Sequence, residues 1–265
     1  MKKILLGIPC GGGACMSFET ARAIFQASTK YPVQVMCSTG SWDNFNNLWS
    51  NALTMGARGD VDVFAMLHTD IEPMVQPEGT WLDLLIGELE RLKADLVSVV
   101  VPQKDGRGIT SSGIGDPADP WEPYRRFTMT EVMSFPETFN QVDANYPDRP
   151  LLHNNGMWVA DMKCDKWYAT EKHASGREHV TAVFDFPRSI QAVQGEFRVR
   201  CESEDWYFSR KMWEMGINGY ITRKVHLLHC GGTKFPNNQV WGSYHADNDT
   251  MKKWAIMGPQ VPNAV

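Results

Sequence analysis

No stretch of the 265-residue chain reaches the ~18 consecutive apolar residues of a membrane span, so no membrane-crossing helix is expected. Positive charge is also short: 26 Lys and Arg face 31 Asp and Glu, for a net charge of −5. A nonspecific nucleic-acid binder needs the opposite excess to neutralise phosphates. That class is set aside, though an enzyme meeting nucleic acid in a local groove is not. Cysteine is scattered (Cys10, Cys15, Cys37, Cys164, Cys201, Cys230), with no CxxC pair and no zinc spacing. Reduced thiols in a cytoplasmic protein are the expectation. Two nucleotide fingerprints are missing as well. Gly7, Gly11 and Gly12 do not spell GxGxxG, and no GxxxxGK(S/T) occurs, so neither a dinucleotide signature nor a P-loop is read. The opening MKKILLGIPC is apolar only from Ile4 to Cys10, with Gly7 and Pro9 as breaks. A short buried strand leading into a glycine loop fits it better than a leader peptide.

The rest is ordinary for a globular protein: 43% of residues are hydrophobic and 22% charged. The length suits one large α/β domain. Apolar runs at Ile4–Ile8, Val33–Cys37, Val61–Leu67 and Leu96–Val101 read as strands. Helical spacing lies between them. At 17–29, Phe18, Ala21, Phe25 and Ser28 follow at spacings of three or four; at 43–56, Phe45, Leu48, Trp49, Ala52 and Leu53 lie on one side. A Thr80–Asp83 capping box opens a third helix. This β-α-β-α-β-α-β order predicts a parallel sheet wrapped by helices, with ligands beyond the carboxyl ends of its strands. The second half is less regular. Residues 103–125, rich in Gly, Pro, Asp and Ser, predict a long functional loop. A strand is expected at 157–160, a helix from Ser203 to Gly216, and strands at 217–222 and 225–228.

Three places could carry chemistry. His68-Thr69-Asp70 ends the third strand; Asp70 can ligate a divalent cation, with His68 as a second ligand. The plainer alternative is a polar strand end turning into solvent. Glu204 and Asp205 stand in the first turn of a helix, where the dipole favours acids. Either they only cap it, or one of them, kept ionised by the dipole, is a general base, with Trp206 offering a flat face to a sugar. His229, just before Gly231 and Gly232, is placed as a ligand or as a hydrogen-bonded strand-end histidine.

In order, these pieces are a β-α-β half ending in a metal-type Asp, the segment His153-Asn154-Asn155-Gly156-Met157-Trp158-Val159, the run Ser203-Glu204-Asp205-Trp206, and a strand closing in His229-Cys230-Gly231-Gly232. Together they resemble glycosyltransferases of the GT-A fold, especially the inverting family 2 type. The resemblance covers residues 3–232 and is nearest over EDWYFSRKMWEMGINGYITRKVHLLHCG. It implies an α/β, Rossmann-like, mostly parallel sheet flanked by helices, with an irregular acceptor-side half. One catalytic domain would span 1–232, with a nucleotide-sugar-binding half (1–101), an acceptor-side half (102–232) and an extension (233–265). The implied activity is transfer of a sugar, with inversion, from a UDP-sugar donor to an acceptor, aided by manganese or magnesium. Asp70 matches the last Asp of the family's DxD motif, His229 its late metal histidine, and Asp205 its base, with Glu204 beside it. His68 stands where the first Asp of DxD would be, and is carried as a further metal or diphosphate contact. Pro9, Cys10, Gly11 and Ser38 fall on the nucleotide side. Trp206, Asn155 and Gly156 fall on the acceptor side. A nucleotidyltransferase of related architecture and a non-catalytic sugar- or nucleotide-binding module stay open beside this reading.

Overall fold

The computed structural model describes residues 1–10, 16–39, 43–172, 175–180, 182–193 and 196–242. The first half comprises β1 (Ile4–Cys10), α1 (Phe18–Ser28), β2 (Val33–Thr39), α2 (Asn44–Ala57), β3 (Val63–Leu67), β4 (Ile71–Pro73), α3 (Trp81–Leu92) and β5 (Leu96–Val99). The middle holds β6 (Ile109–Gly115), β7 (Pro123–Thr128), α4 (Met129–Ser134), β8 (Thr138–Phe139), β9 (Leu151–Leu152) and β10 (Met157–Asp161). Two small hairpins follow, β11 (Thr170–Lys172) with β12 (Glu178–Val180), and β13 (Arg188–Val193) with β14 (Glu196–Cys201). Then come α5 (Glu204–Glu214), β15 (Gly219–Thr222), β16 (Leu227–Cys230) and β17 (Lys234–Pro236).

Seven strands form the central sheet in the order β2-β1-β3-β10-β5-β15-β8. The pairs β1–β2, β1–β3 and β5–β15 are parallel. Strand β10 enters antiparallel between β3 and β5, and β8 closes the edge antiparallel to β15. The sheet is therefore mostly parallel, as expected, with one strand of the second half inserted at its centre. Both faces are covered, which is why β3 and β5 are apolar on every residue but one. One face packs Ile4, Leu6, Val97 and Val159 against α1 and α3. The other packs Leu5, Phe64 and Trp158 against Trp49 of α2 and Phe208 of α5. No helix among the described residues is long and apolar enough to cross a membrane.

The capping box of α3 forms as read, with Thr80 accepting from the Asp83 N–H and Asp83 accepting from the Thr80 N–H. Helix α1 forms as read, but the residues that mark its period are not the ones it buries. Phe18 and Phe25 are exposed, and the buried stripe is Thr20, Ala23 and Ala27. Close contact requires small side chains there: the Thr20 hydroxyl donates to the Ile71 carbonyl at 2.8 Å, and the Trp81 indole donates to the Ala23 carbonyl at 3.2 Å.

Part of the expected loop at 103–125 is a β-ribbon. Strand β6 pairs with both β7 and β9. Gly113 makes this possible, since a Cβ there would stand 2.2 Å from the Arg125 carbonyl oxygen. Gly113→Ala should therefore push β7 away and cost about 1–3 kcal/mol of stability, measured by denaturant unfolding. The described part of the tail is built into the fold: β17 pairs with β16, and buried Asn237 donates to the carbonyls of Val100 and Val225.

Candidate active site

A cleft of about 610 Å³ opens where β1 and β3 end, lined in part by Pro9, Met16, Phe45, His68, Asp70 and Gly231. His229 reaches Asp70 through a pairing hidden from sequence reading. The short strand β4 runs antiparallel to β16, with His229 opposite Ile71. This puts His229 Nε2 3.4 Å from Asp70 Oδ2. Lys104, from the segment before β6, also bonds Asp70 through its ammonium.

The His229 ring is fixed by its other nitrogen, Nδ1, which lies 2.6 Å from the Pro102 carbonyl oxygen. A carbonyl only accepts, so Nδ1 carries the proton and Nε2 faces the carboxylate. A neutral Nε2 would set a lone pair against Asp70, an arrangement that a cation between them resolves. A carbonyl behind the distal nitrogen is also the usual support of a metal-bound histidine. Asp70 and His229 therefore fit as two protein ligands of a divalent cation, which would need water or phosphate oxygens for the rest of its shell. Burial pushes the Asp70 carboxyl up, but a hydrogen bond from His229, available only when Nε2 also carries a proton, and one from Lys104 outweigh it and hold it well below the usual range.

His68 does not complete a set of three. Among the described residues no group of three His, Cys, Asp or Glu side chains is gathered as a metal site. Its ring packs 5.4 Å from that of Phe45, and its Nε2 is buried without a hydrogen-bond partner. Burial lowers the imidazole to about 4, so it is neutral at neutral pH. On the nucleotide side, Pro9 lines the cleft, and Ser38 donates to Asn44, another lining residue, at 2.9 Å. Burial, then Cys37, push the Cys10 thiol up. Gly11 lies outside the described residues.

Asp205 sits at the opening turn of α5. One carboxylate oxygen accepts from the Asn155 N–H at 3.0 Å and the other from Asn154 Nδ2 at 3.2 Å. Asn154 is itself held, because its Oδ1 accepts from the Gly156 N–H at 2.6 Å. Buried Ser209 closes the clasp, accepting from the His153 N–H at 2.8 Å and donating to the Asp205 carbonyl at 2.6 Å. The same loop holds the His68–Asp70 edge: the His68 N–H donates to the Gly156 carbonyl at 2.8 Å. Asp205 and the His68–Asp70 turn thus share one end of the sheet, bridged by residues 154–156.

The helix terminus does not keep Asp205 ionised, contrary to the sequence expectation. Desolvation, then the neighbouring Glu204 charge, raise its carboxyl to about 8, against the pull of Asn155, Arg126 and Asn154. Desolvation raises Glu204 as well. Of the residues expected on the acceptor side, Asn155 and Gly156 are buried and position Asp205 and His68. Trp206 keeps its ring at the surface of α5, under the guanidinium of Arg126. Lys104 and Arg126 were not singled out in the sequence; neither belongs to a motif, and only the fold brings them here.

No known family profile and no curated protein matches the chain. Among solved structures, A197 from STIV overlaps with a TM-score of 0.47 at 14% identity, covering 92% of this chain and 96% of that one. A UDP-glucose pyrophosphorylase complexed with UDP-glucose overlaps with a TM-score of 0.33 at 10% identity, covering 81% and 99%. A CMP:2-keto-3-deoxy-manno-octonic acid synthetase complexed with CTP gives 0.28 at 13% identity, covering 63% and 77%. Overlaps this loose leave the function to be read from the residues of the site itself.

Proposed function

We propose that the protein is a glycosyltransferase that moves a sugar from a nucleotide-sugar donor, a UDP-sugar, to a hydroxyl acceptor with inversion. The observation that carries this reading is Asp205: a carboxyl of raised proton affinity, clasped by Asn154 and Asn155, at the same sheet end as the Asp70–His229 pair. A base tuned near 8 can take a proton from an attacking hydroxyl at mildly basic pH. Asp70 and His229 would hold manganese or magnesium, which when bound supplies positive charge to the diphosphate leaving group. With donor on the Asp70 side and acceptor on the Asp205 side, attack comes from the face opposite the leaving group, and the anomeric centre inverts.

The test is calorimetric titration of UDP-sugars with and without manganese, followed by assay of UDP release with a panel of hydroxyl acceptors. Manganese-dependent binding and acceptor-dependent release are expected. Binding without any release, on every donor tried, would leave a binding module. A nucleotidyltransferase is the second reading, favoured by the Lys104 ammonium against Asp70, which could meet a triphosphate. Pyrophosphate release from a nucleoside triphosphate and a sugar 1-phosphate would select it.

Lys104 also yields a prediction. Its ammonium neutralises Asp70 in the position that favours a cation. Lys104→Ala should therefore tighten manganese binding, by up to about 5-fold, as one competing ion pair of a part-exposed carboxylate, worth ~0–1 kcal/mol, is removed. Manganese titration followed by electron paramagnetic resonance reads this directly; unchanged or weaker binding would make Lys104 a helper of the site instead of a competitor.

A further inference from the structure

We propose that Arg126 recognises an anionic group, a carboxylate or a phosphate, carried by the acceptor, and thereby sets acceptor choice. The proposal rests on the transferase reading above and names the acceptor class for that site.

Strand β7 turns alternate side chains to opposite faces. Phe127 points into the core beside Phe139, and Arg125 pairs with Glu131. Arg126 projects the other way, onto α5, where its guanidinium carbon lies 4.8 Å from the centroid of the Trp206 ring. Nearby arginines are already committed: Arg107 to Asp105, and Arg210 to buried Glu202. Arg126 is different. It is half-buried, yet among the described residues its guanidinium has no hydrogen bond and no ion pair. The charged groups that face it are Arg107, Asp205 and Asp105. Desolvation and the repulsion of Arg107 lower the guanidinium to about 10, so it is still a cation at neutral pH.

A flat, partly dehydrated fork with unused donors is costly to leave unpaired. It is also pre-shaped for two parallel hydrogen bonds to a carboxylate or phosphate. Stacking on Trp206 restricts its motion, so little side-chain freedom remains to be lost when an anion arrives. Position separates the acceptor from the donor. Arg126 adjoins Asp205 and Trp206, on the side where the hydroxyl must meet its base. The donor diphosphate belongs with Asp70 and His229, where Lys104 already supplies positive charge. An acceptor held by its anionic group at Arg126 would present a hydroxyl to Asp205.

Three probes of similar size test this on the full chain by ligand-observed NMR: methyl glucoside (neutral), glucuronate and glucose 6-phosphate. At least one charged sugar should bind the wild type about tenfold more tightly than the neutral one. The two charged arms say whether carboxylate or phosphate is preferred. Arg126→Met keeps an apolar stem on Trp206 and should abolish the preference, whereas Arg126→Lys should retain part of it. Arg126→Gln runs beside them in case Arg126→Met does not fold. Equal binding of charged and neutral sugars by the wild type overturns the proposal, as does a preference that survives in Arg126→Met or Arg126→Gln. UDP with manganese is titrated into the same samples. If the neutral variants lose UDP together with the charged sugar, Arg126 serves the donor and the proposal fails while the transferase reading stands. If the wild type binds no nucleotide but shows the Arg126-dependent preference, the anion site stands and the transferase reading falls.

Discussion

Asp205→Asn should lower sugar transfer by about 10²–10⁴-fold, the usual contribution of a general base, while UDP-sugar binding survives. The same substitution should make the protein more stable at high pH. The Asp205 carboxyl, with an ordinary value of 3.8, is raised to about 8 in the fold. Between those values it is protonated when folded and ionised when unfolded. Its contribution to stability is therefore complete below the lower value and is lost as pH rises through the upper one, with a slope of at most ~1.4 kcal/mol per pH unit for one proton. Asparagine has no such slope and still offers an oxygen to the Asn155 N–H. Denaturant unfolding at pH 5 and pH 9 should show wild type losing stability relative to the variant. Transfer by the wild type should climb as pH approaches 8 and then level off. Glu204→Gln should move that limb to lower pH, because the Glu204 charge is one of the two causes of the raised value. If Glu204→Gln abolishes transfer and Asp205→Asn does not, the two acids exchange roles. If neither matters, Ser203-Glu204-Asp205 is a helix start and nothing more.

Much of this architecture is legible where local pattern and fold agree. The buried strands β1, β3 and β5 are nearly continuous apolar runs, and α3 announces itself with Thr80 and Asp83. Pattern misleads where the fold overrides it. Phe18 and Phe25 mark the period of α1, yet the helix lies too close to its neighbours for aromatic rings and buries Thr20, Ala23 and Ala27 instead. The β6–β7 ribbon is masked by Gly113, Gly115 and Pro123, residues that normally interrupt strands. What brings the site together is long-range pairing, on which a single sequence is silent. Three-residue β4 contains Pro73 and gives no strand signal, yet it is what carries His229 to Asp70. The antiparallel entry of β10 sets residues 154–156 between His68 and Asp205. The sequence named both ends of the site, but the bridge between them is visible only in the fold.

Asp70→Asn should abolish manganese-dependent UDP binding with the fold intact. The carboxylate faces His229 Nε2 and two positive charges, the Lys104 ammonium and the cation proposed between Asp70 and His229. Asparagine keeps the shape and one acceptor oxygen but removes the charge, and a divalent ion held by few protein ligands depends on that charge. A loss of about 100-fold or more in manganese affinity in the presence of UDP is expected. The cost to folding should be small. Asp70 and Lys104 are 39% and 36% exposed, and ion pairs so open to water contribute ~0–1 kcal/mol. A shift in melting temperature of a few degrees is the most that fits, so lost binding cannot be blamed on unfolding. The histidines supply the internal control. His229→Ala should weaken manganese use severalfold. His226→Ala should not, since His226 meets its surroundings through its backbone N–H, which donates to Gln76 Oε1 at 2.7 Å. If Asp70→Asn binds UDP and manganese like the wild type, the cation site is elsewhere or does not exist. If it binds UDP equally well with and without manganese, the Lys104 ammonium is the positive charge of the site, and the reaction it supports needs no divalent ion.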